Sequence, residues 1–588
     1  MTSPTLPRPR VTIELAAGDR ARDLLADPAF VAAWDALVDR CPWATVAQGS
    51  GFVRTWWRVY ASRFELLIVR GLGDDGRLLG LLTLARRRDS GELVCAGDHH
   101  CEYQVWVSDP DHGQSFIVDA LDALSAAYPA GRLGFLFLPP GTPVDLLRAS
   151  SWAPRSDLRT HERPLMAVGP GTEAAEGMKG KNRARKLRAL ERIGDVRLEQ
   201  LSTRAELEAV IGPIAAFTDI RQGAINGATP FRSDPLKEAL YLALVETPGV
   251  LHATVLRVGK EVAATNLGLA NRRDVTIGLI THSPFLARHS PGTVLIPMLG
   301  IRLGEQGYAN LDLTPGGGYK ERFATHHDTA YALDVFFGRA GWVRHVARQR
   351  AARMAKYALA RAGLSPAATA AAVGSMMRRV RAPATLIRQA RRRWSDRSEM
   401  RVYALEAAAA GPLQGSGVCR RDHLPDLFGD APGPQAARLR AVLRRLEEGQ
   451  HAYTRVEGGR LLHCGWLAER AAKIVVGPQQ LELPQNAALL EEDATGAGPD
   501  PALREASIRQ RIGDAVRVAG TEWVFVAAPA ADAVLHRLVE ASGFVHHASF
   551  FTETRRGTTR RWIELGGNRP APGEPPGRPP LSAPHLLG

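Results

Sequence analysis

The stretch DLTPGGGYKERFA, residues 312–324, combines residue types that could do chemistry at one place. A short apolar run ends at an aspartate, three consecutive glycines follow, and a Tyr-Lys pair comes next. Glycines in series cost backbone entropy, and they are best explained where a chain turns sharply or lies close against a ligand. We therefore predict that the bend contacts a bound molecule through Gly316, Gly317, Gly318 and Tyr319.

Two charged side chains flank this bend. Lys320 could hold a phosphate or a carboxylate as a point charge, and Asp312 could orient an amine or act as a general base. The plain alternatives are a solvent-exposed loop that carries a lysine and an aspartate that forms a turn at the end of a strand. Because DLTP precedes the glycines and ERF follows the lysine, we predict that Asp312 and Lys320 are catalytic.

The sequence HSPGTVL predicts the start of a helix. Ser290 would be the N-cap and Pro291 the first helical residue, and both types are favoured there. Open amide groups and the positive end of the helix dipole make such a start an anion site. We predict this role for Ser290, Pro291, Gly292 and Thr293, with an ordinary capped helix as the alternative. Pro297 falls inside the expected helix, where it would bend the axis.

A basic run precedes these motifs in the chain. Seven Lys/Arg residues lie between Lys179 and Arg192, against one glutamate. Such a run is usually a solvated helix face, and it could also attract an anionic molecule.

The elements that must position these residues recur in the same order. Residues 1–165 give helices, an antiparallel hairpin of FELLIVRGL and RLLGLLTLARRR, a helix and a strand. Residues 166–338 repeat this plan, with turns at Gly259-Lys260 and Asn271-Arg272. The pattern predicts an α+β (mixed α/β) fold with mostly antiparallel central sheets flanked by helices, duplicated within the chain. A basic helical linker at 339–401, a third module at 402–565 and a disordered Pro/Gly-rich tail at 566–588 would follow.

The net charge of +14 belongs to one segment. Residues 339–401 hold sixteen Lys/Arg against Asp396 and Glu399, so the rest of the chain is close to neutral. This segment could lie on anionic lipid, touch RNA or form a helix between domains. No aromatic stacking platform accompanies it, so we do not expect a nucleic-acid partner.

Composition also bears on the compartment. There is no apolar stretch of about 18 residues, the length that a membrane-spanning helix needs. Five cysteines are an odd and sparse set for a chain of 588 residues, a pattern that fits a reducing compartment. We predict a cytoplasmic protein that could be peripheral to the inner face of the membrane through residues 339–401.

Four motifs together resemble GNAT-superfamily acyltransferases of the FemAB-like and CelD-like kind, in which two GNAT folds are fused. They are TVAQGSGFVRTWWRVY, MKGKNRARKLRALER, HSPGTVL and LDLTPGGGYKERFA, in this order over about residues 30 to 340. The later stretch WVFVAAPAADAVLHRLVEASGFV is similar to the end of a single GNAT domain.

The resemblance implies transfer of an acyl group, usually acetyl from acyl-CoA, to an amine or a hydroxyl. The pyrophosphate of CoA would then be the anion at the helix start, and a groove between the two folds would hold the acceptor. FemAB relatives instead use aminoacyl-tRNA and build peptidoglycan bridges, and CelD-like relatives are associated with polysaccharide production. A non-catalytic assembly protein at the membrane, built on GNAT folds, is a further alternative.

The segment CAGDHHCEY, residues 95–103, invites a zinc interpretation because it holds two Cys and two His. Its C-x5-C spacing is not a recognised finger pattern, and neighbouring His on one strand would point to opposite faces. We predict no metal, and polar side chains that line the acceptor groove.

The third module lacks one feature that the resemblance requires. A glycine-rich pyrophosphate loop should precede its main helix, but EDATGAGPDPALREASIR has its glycines too early and Pro501 at the expected helix start. We predict weak or absent CoA binding there, and a structural or acceptor-recognition role.

Overall fold

The computed structural model describes residues 11–111, 113, 115–169, 181–361, 395–410, 417–429, 435–493, 500–555 and 558–566. The chain divides into two compact units. Unit 1 comprises residues 1–366 and 435–443, and unit 2 comprises residues 367–434 and 444–588. Among the described residues, no helix is long and apolar enough to cross a membrane.

The helices of unit 1 are named in sequence order. They are α1 (Asp19–Ala26), α2 (Pro28–Arg40), α3 (Ser50–Tyr60), α4 (Phe116–Ala127), α5 (Val144–Arg148), α6 (Lys181–Glu191), α7 (Arg204–Asn226), α8 (Pro230–Ser233), α9 (Lys237–Val245), α10 (Pro291–Glu305) and α11 (Arg339–Arg361). Helix α12 (Gln435–Glu447) has its first nine residues in unit 1.

Unit 1 has three sheets. Their strands are β1 (Thr12–Ala17), β2 (Phe64–Leu72), β3 (Leu78–Arg87), β4 (Leu93–Cys95), β5 (Val107–Ser108), β6 (Arg132–Leu138), β7 (Ser156–Ala167), β8 (Val196–Leu201), β9 (Leu251–Val258), β10 (Glu261–Leu269), β11 (Asp274–Thr276), β12 (Leu279–His282), β13 (Asn310–Asp312) and β14 (His326–Phe336). The orders are β1-β2-β3-β4 with β5 beside β3, β12-β10-β9-β8, and β11-β13-β7-β14-β6. The pair β11/β13 is parallel and the other pairs are antiparallel.

Local sequence signals explain several of these boundaries. Helix α7 begins with a capping box in which Glu206 N donates to Thr203 Oγ1 and the Glu206 carboxylate accepts from Thr203 N. It ends at Gly227, whose φ of 73° is a left-handed value that glycine adopts without a Cβ penalty. The predicted hairpin of β2 and β3 is present, and so are the turns predicted between β9, β10 and β11.

The segment Asp274–His282 passes from one sheet into another. Its first part, β11, pairs in parallel with β13, and its second part, β12, pairs antiparallel with β10. Two sheets therefore diverge on either side of Gly278, and a space opens where they separate.

Close backbone contacts fix the position of this divergence. A Cβ atom added at Gly278 would lie 2.3 Å from the carbonyl oxygen of Leu267, and one at Gly268 would lie 1.8 Å from that of Thr276. Glycine is the residue that permits so close an approach of two chains. These two glycines thus set the place where the sheets open.

One hydrophobic core joins the two predicted halves of unit 1. It extends from Ala16 to Phe337 and includes Trp34 and Trp56 from the first half and Leu240 from the second. The third sheet likewise combines β6 and β7 with β11, β13 and β14. The division into GNAT-like domains at residues 165 and 166 stays a prediction, and it falls inside β7.

Unit 2 is built on an eight-stranded sheet of order β16-β17-β18-β21-β22-β15-β23-β24, in which β21 and β22 are parallel. Its strands, with the separate β19/β20 hairpin, are β15 (Ser395–Glu406), β16 (Arg420–Arg421), β17 (Gln450–Glu457), β18 (Arg460–Ala468), β19 (Lys473–Val476), β20 (Gln479–Glu482), β21 (Ala487–Glu492), β22 (Trp523–Pro529), β23 (Val545–Arg555) and β24 (Thr558–Leu565). Helices α13 (Pro501–Arg517) and α14 (Ala533–Ala541) accompany the sheet, and Ile512 and Leu535 belong to the core.

The predicted α+β class with mixed sheets is confirmed. The predicted helical linker is helical over 339–361 as α11, but residues 395–401 are part of strand β15. Residues 362–394 and the tail from 567 onward lie outside the described residues, so the predictions made for them stay predictions.

Candidate functional site

Two cavities of unit 1 adjoin the divergence of the sheets. The helix-start cavity, of about 490 Å³, lies at the beginning of α10 and is lined by Lys186, Arg221, Gln222, Ile225, Asn226, Ile280, Thr281, His282, Ala287, Ser290, Gly292, Thr293, Ile296, Tyr319, Arg322 and Phe323. The inner cavity, of about 250 Å³, is lined by residues of the 99–103 segment, α7, α9 and strands β9 to β12. Gln222 and Ile280 belong to both walls, so the two cavities share a boundary.

The two predicted binding motifs meet at the helix-start cavity. Ser290, Gly292 and Thr293 line it from the start of α10, and Tyr319 lines it from the glycine bend. Pro291 is buried as the first residue of the helix, and Gly316 to Gly318 are exposed in the bend itself, so these four are not on the wall. The cofactor role of all eight residues stays a prediction.

The beginning of α10 has an unusual backbone. Ser290 is at the predicted N-cap position, but its side chain makes no capping hydrogen bond and its φ of 54° is left-handed. Thr293 N donates to the Ser290 carbonyl at 2.9 Å. Pro297 lies inside the helix, as the sequence indicates. Pro291 has no amide hydrogen, so within residues 291–293 of the described chain the Gly292 amide is the one for which no hydrogen bond is found.

Asp312 and Lys320 both form hydrogen bonds with Thr314. Asp312 Oδ1 accepts a hydrogen bond from Thr314 N at 2.8 Å. Lys320 Nζ donates to Thr314 Oγ1 at 2.6 Å and to its carbonyl at 3.2 Å. Both side chains thus close the loop that contains the glycines, and this loop presents Tyr319 and Arg322 to the helix-start cavity.

Backbone strain is concentrated around these cavities. Within the described part of unit 1, three residues other than glycine have a positive φ: Asp98, Ser290 and Thr314. Asp98 precedes the inner-cavity residue His99, Ser290 begins α10, and Thr314 anchors the glycine bend. Such conformations cost of order 1–3 kcal/mol each and often mark functional sites.

The helix-start cavity is strongly cationic. Lys186, Arg221 and Arg322 line it, and no Asp or Glu is found among its lining residues in the described chain. Burial lowers the pKa of Lys186, and the nearby Arg322 lowers it further. Like charges at one place raise the local potential, and an anionic ligand would relieve their repulsion.

A neutral histidine accompanies these cations. Arg221 Nη2 donates to His282 Nε2 at 2.7 Å. Burial, reinforced by the Arg221 charge, lowers the pKa of His282 to about 4, so the imidazole is uncharged at neutral pH. Arg322 lies over the rings of Phe323 at 5.1 Å and Tyr319 at 6.0 Å, contacts that hold its guanidinium at the cavity.

Asp312 also takes part in an ion-pair network beneath the cavities. Arg163 on β7 reaches Asp274 on β11 at 3.4 Å, Asp312 on β13 at 3.5 Å and Asp328 on β14 at 2.8 Å. Complete burial raises the pKa of Asp312 to about 6, although the charge of Arg163 acts to lower it. One arginine therefore ties together four strands of the third sheet.

The inner cavity is lined by the segment for which the sequence suggests an acceptor groove. His99, His100, Cys101, Glu102 and Tyr103 all lie on its wall. Their role toward an acceptor stays a prediction.

His99, His100 and Asp234 are close enough to share a metal ion, but their protein contacts oppose it. Trp56 Nε1 donates to His100 Nδ1 at 3.2 Å, which leaves Nε2 to carry the proton and donate to Asp234 at 3.1 Å. Asp234 also accepts from Tyr60 at 2.5 Å and from Arg63 at 2.8 Å. With both ring nitrogens engaged, His100 fits a structural role better than that of a ligand.

Several residues at the cavities are not individually indicated by the sequence. Glu102 and Arg322 lie inside quoted motifs, so a closer interpretation of those motifs could have found them. Arg221 and Lys237 stand on helices without any local signal, because only the tertiary fold brings them to the cavities.

Comparison with known proteins gives a family for part of the chain. The family described as "Acetyltransferase (GNAT) domain" matches residues 179–325. Every residue that lines the helix-start cavity falls within this range. No curated protein gives a significant match.

Solved structures with a similar arrangement are distant in sequence. FemX is 12% identical with a TM-score of 0.38, and covers 51% of this chain and 95% of its own. L-PGS from Bacillus licheniformis is 12% identical with a TM-score of 0.35, covering 55% of this chain and 96% of its own. A conserved protein of unknown function from Bacteroides thetaiotaomicron is 10% identical with a TM-score of 0.36, covering 52% and 97%. From the family match, this chain contains a GNAT acyltransferase domain at residues 179–325.

Proposed function

We propose that unit 1 transfers an acyl group from acyl-CoA, bound in the helix-start cavity, directly to an amine or hydroxyl in the inner cavity. One observation carries this proposal. A cavity that Lys186 and Arg322 line at the start of α10, with no carboxylate among its described lining residues, adjoins a second cavity across Gln222 and Ile280. An anionic donor and a separate acceptor would thus meet at a common wall.

The donor would contact the helix-start cavity at two places, the start of α10 and the glycine bend. Its phosphates would lie against the helix start formed by Ser290, Pro291, Gly292 and Thr293, where the Gly292 amide would donate a hydrogen bond. Lys186 and Arg322 would serve as counter-charges. The bend of Gly316 to Gly318 would place Tyr319 along the donor. The thioester would then point toward the shared wall, with acetyl as the simplest acyl group.

The chemistry needs no covalent enzyme intermediate. The acceptor would attack the thioester carbonyl, and backbone N–H groups would stabilise the tetrahedral oxyanion. Asp312 and Lys320 would serve this reaction as positioning residues, because both bond Thr314 and Asp312 is completely buried. This is a narrower role than the sequence suggests for them.

The resemblance places related enzymes in polysaccharide and cell-envelope synthesis, and we extend that setting to this chain as part of the proposal. Residues 339–361 carry seven Lys/Arg and no Asp/Glu, so α11 could hold the protein at an anionic membrane surface. We place the reaction in the cytoplasm, where acyl-CoA is available.

Removal of Arg322 tests the donor site. Arg322→Ala should weaken CoA binding about tenfold or more, since a hydrogen bond to a charged group contributes about 1.5–3 kcal/mol. Isothermal titration of CoA into the full chain measures the Kd. Arg188→Ala is the matched control, because Arg188 is exposed on α6 and does not line the cavity.

The same titration separates the alternatives. Micromolar CoA binding that Arg322→Ala weakens and Arg188→Ala does not would support the proposal. Heat from aminoacyl-tRNA but none from CoA would favour a FemAB-type donor instead. No heat from either would favour a non-catalytic role.

Lys320→Ala tests how the bend is held. Loss of the two bonds to Thr314 should free the loop and move Tyr319 and Arg322 away from the cavity, so turnover should fall about tenfold while the fold persists. Steady-state release of free CoA gives the rate, and the thermal midpoint reports folding. Wild-type turnover in this variant would remove Lys320 from the account.

A further inference from the structure

Glu102 is a charged group that the proposed donor site does not use. It lies on the wall of the inner cavity, and no hydrogen-bond or ion-pair partner of its carboxylate is found among the described residues. Burial raises its pKa, while the charges of Lys320 and Lys237 act to lower it from a longer distance. An inward carboxylate that forms no bond within the protein costs free energy, which a bound cation would offset.

A lysine on the same wall carries the opposite charge. Lys237, the first residue of α9, is half-buried, and its Nζ lies 5.7 Å from the centroid of the Phe231 ring. No hydrogen bond or ion pair of its ammonium group is found among the described residues. Burial lowers its pKa, and the charges of Asp234, Asp219 and Glu102 act in the other direction. Its ammonium is therefore available for an anionic group of a ligand in the inner cavity.

Six leucines form an apolar part of the remaining wall. They come from α9, β9, β10 and β12, namely Leu240, Leu244, Leu251, Leu267, Leu269 and Leu279. Polar side chains such as Thr218, Gln222 and Asn271 also line the cavity. The volume of about 250 Å³ admits a small molecule and not a folded protein or a polysaccharide strand. The wall thus presents one anion, one cation and a group of leucines to one small ligand.

From this combination we propose that the acceptor is a small amine that also carries a carboxylate on an apolar body, the chemistry of an apolar amino acid. Its ammonium group would pair with Glu102, its carboxylate with Lys237, and its side chain with the leucines. The inference rests on the proposed function, because it takes the inner cavity to be the acceptor side of the transfer. It selects the amine from the two acceptor classes that the family resemblance leaves open.

The proposed reaction balances without any further reagent. Glu102 takes one proton from the ammonium, and the free amine attacks the thioester carbonyl. The N–C bond forms, the C–S bond breaks, and the second amine proton goes to the departing thiolate. The products are the N-acyl amino acid, CoA with a free thiol, and one proton that leaves Glu102 for solvent.

Three probes with one carbon skeleton test the acceptor class. L-leucine has both groups, L-leucinamide lacks the carboxylate, and 2-hydroxy-4-methylpentanoate has a hydroxyl in place of the amine. With saturating acetyl-CoA and the full chain, we expect kcat/KM for leucine to exceed that for leucinamide about tenfold and that for the hydroxy acid at least a hundredfold.

Two variants assign these preferences to residues. Glu102→Gln should lower leucine turnover at least a hundredfold and leave the Kd for CoA unchanged. Glu238→Gln is the control, because Glu238 is exposed and follows Lys237 in the chain, and it should alter neither quantity. Lys237→Met should bring leucine and leucinamide to equal kcat/KM.

The outcomes separate this inference from the proposed function. Normal CoA binding with no turnover of leucine, equal turnover of the hydroxy acid, or full activity in Glu102→Gln would overturn the acceptor and leave the donor site standing. Absence of CoA binding in the wild-type chain would instead overturn the donor site. Turnover in the expected order, lost in Glu102→Gln with CoA binding intact, would establish both.

Discussion

Replacement of Gly268 by valine is expected to destabilise unit 1 by about 3 kcal/mol or more, at the upper end of the cost of overpacking. Its Cβ would lie 1.8 Å from the Thr276 carbonyl oxygen, which is backbone and cannot rotate away. The crossing of β10 and β11 would have to open. Leu267, Leu269 and Thr276 at this crossing line the inner cavity, which shares a boundary with the helix-start cavity. We therefore expect the variant to lose CoA binding together with stability.

Hydrogen exchange followed by mass spectrometry is the appropriate measurement, since it resolves unit 1 from unit 2. Gly212→Ala is the matched control. It lies inside α7 with open space around the added Cβ, so it should be neutral or stabilise the helix by up to about 1 kcal/mol. Wild-type protection of β10 and β11 in Gly268→Val would show that the crossing is not constrained as described.

Arg511→Met should destabilise unit 2 by about 3–5 kcal/mol, because it takes one of two arginine partners from the buried Glu492 carboxylate and leaves backbone carbonyls without their donor. The Arg511 side chain is completely buried and pairs with the Glu492 carboxylate. It also donates to the carbonyls of Glu491 at 2.9 Å and Trp466 at 3.2 Å. Burial acts to raise the pKa of Glu492, but the charges of Arg511, His463 and Arg504 together outweigh it and the pKa is lowered.

Urea unfolding of the full chain, followed by exchange in β18, β21 and α13, measures this loss. Arg509→Met changes an exposed arginine two residues earlier, paired with Glu505 at the surface, and should cost less than about 1 kcal/mol. Similar stability of the two variants would mean that the buried ion pair contributes little to unit 2.

The cations of the helix-start cavity in unit 1 and the buried arginines of unit 2 differ in their partners. In unit 2, Arg504 and Arg511 are matched by Glu492 and Asp532 at the junction of β21 and α13. In unit 1, Lys186 and Arg322 line a cavity whose described wall has no carboxylate. This contrast supports a donor site in unit 1 and agrees with the prediction of weak or absent CoA binding in the third module.

The sequence predicts those features of the site that local backbone chemistry determines. The start of α10 at Pro291 and the hairpin of β2 and β3 follow from proline, glycine and apolar patterning, and both are present. The position of the glycine bend beside the helix start required the family resemblance, because the two motifs lie about 25 residues apart and no periodicity joins them.

The partners of individual side chains could not be predicted in the same way. Lys320 and Asp312 both have the residue types of a catalytic pair, yet their hydrogen bonds go to Thr314. Arg163 joins four strands from distant parts of the sequence. Glu102 is a candidate for ligand binding because it lines the inner cavity and no described residue pairs with its carboxylate. These are long-range properties of the fold, which local patterning does not encode.

The most direct test of the central claim is a crystal structure of the full chain with CoA. We predict CoA phosphates against the backbone amide of Gly292, within hydrogen-bond reach of Lys186 or Arg322, and the thiol end at the wall formed by Gln222 and Ile280. CoA bound instead between β21 and α13 of unit 2, or a helix-start cavity that stays empty while CoA binds elsewhere, would contradict it.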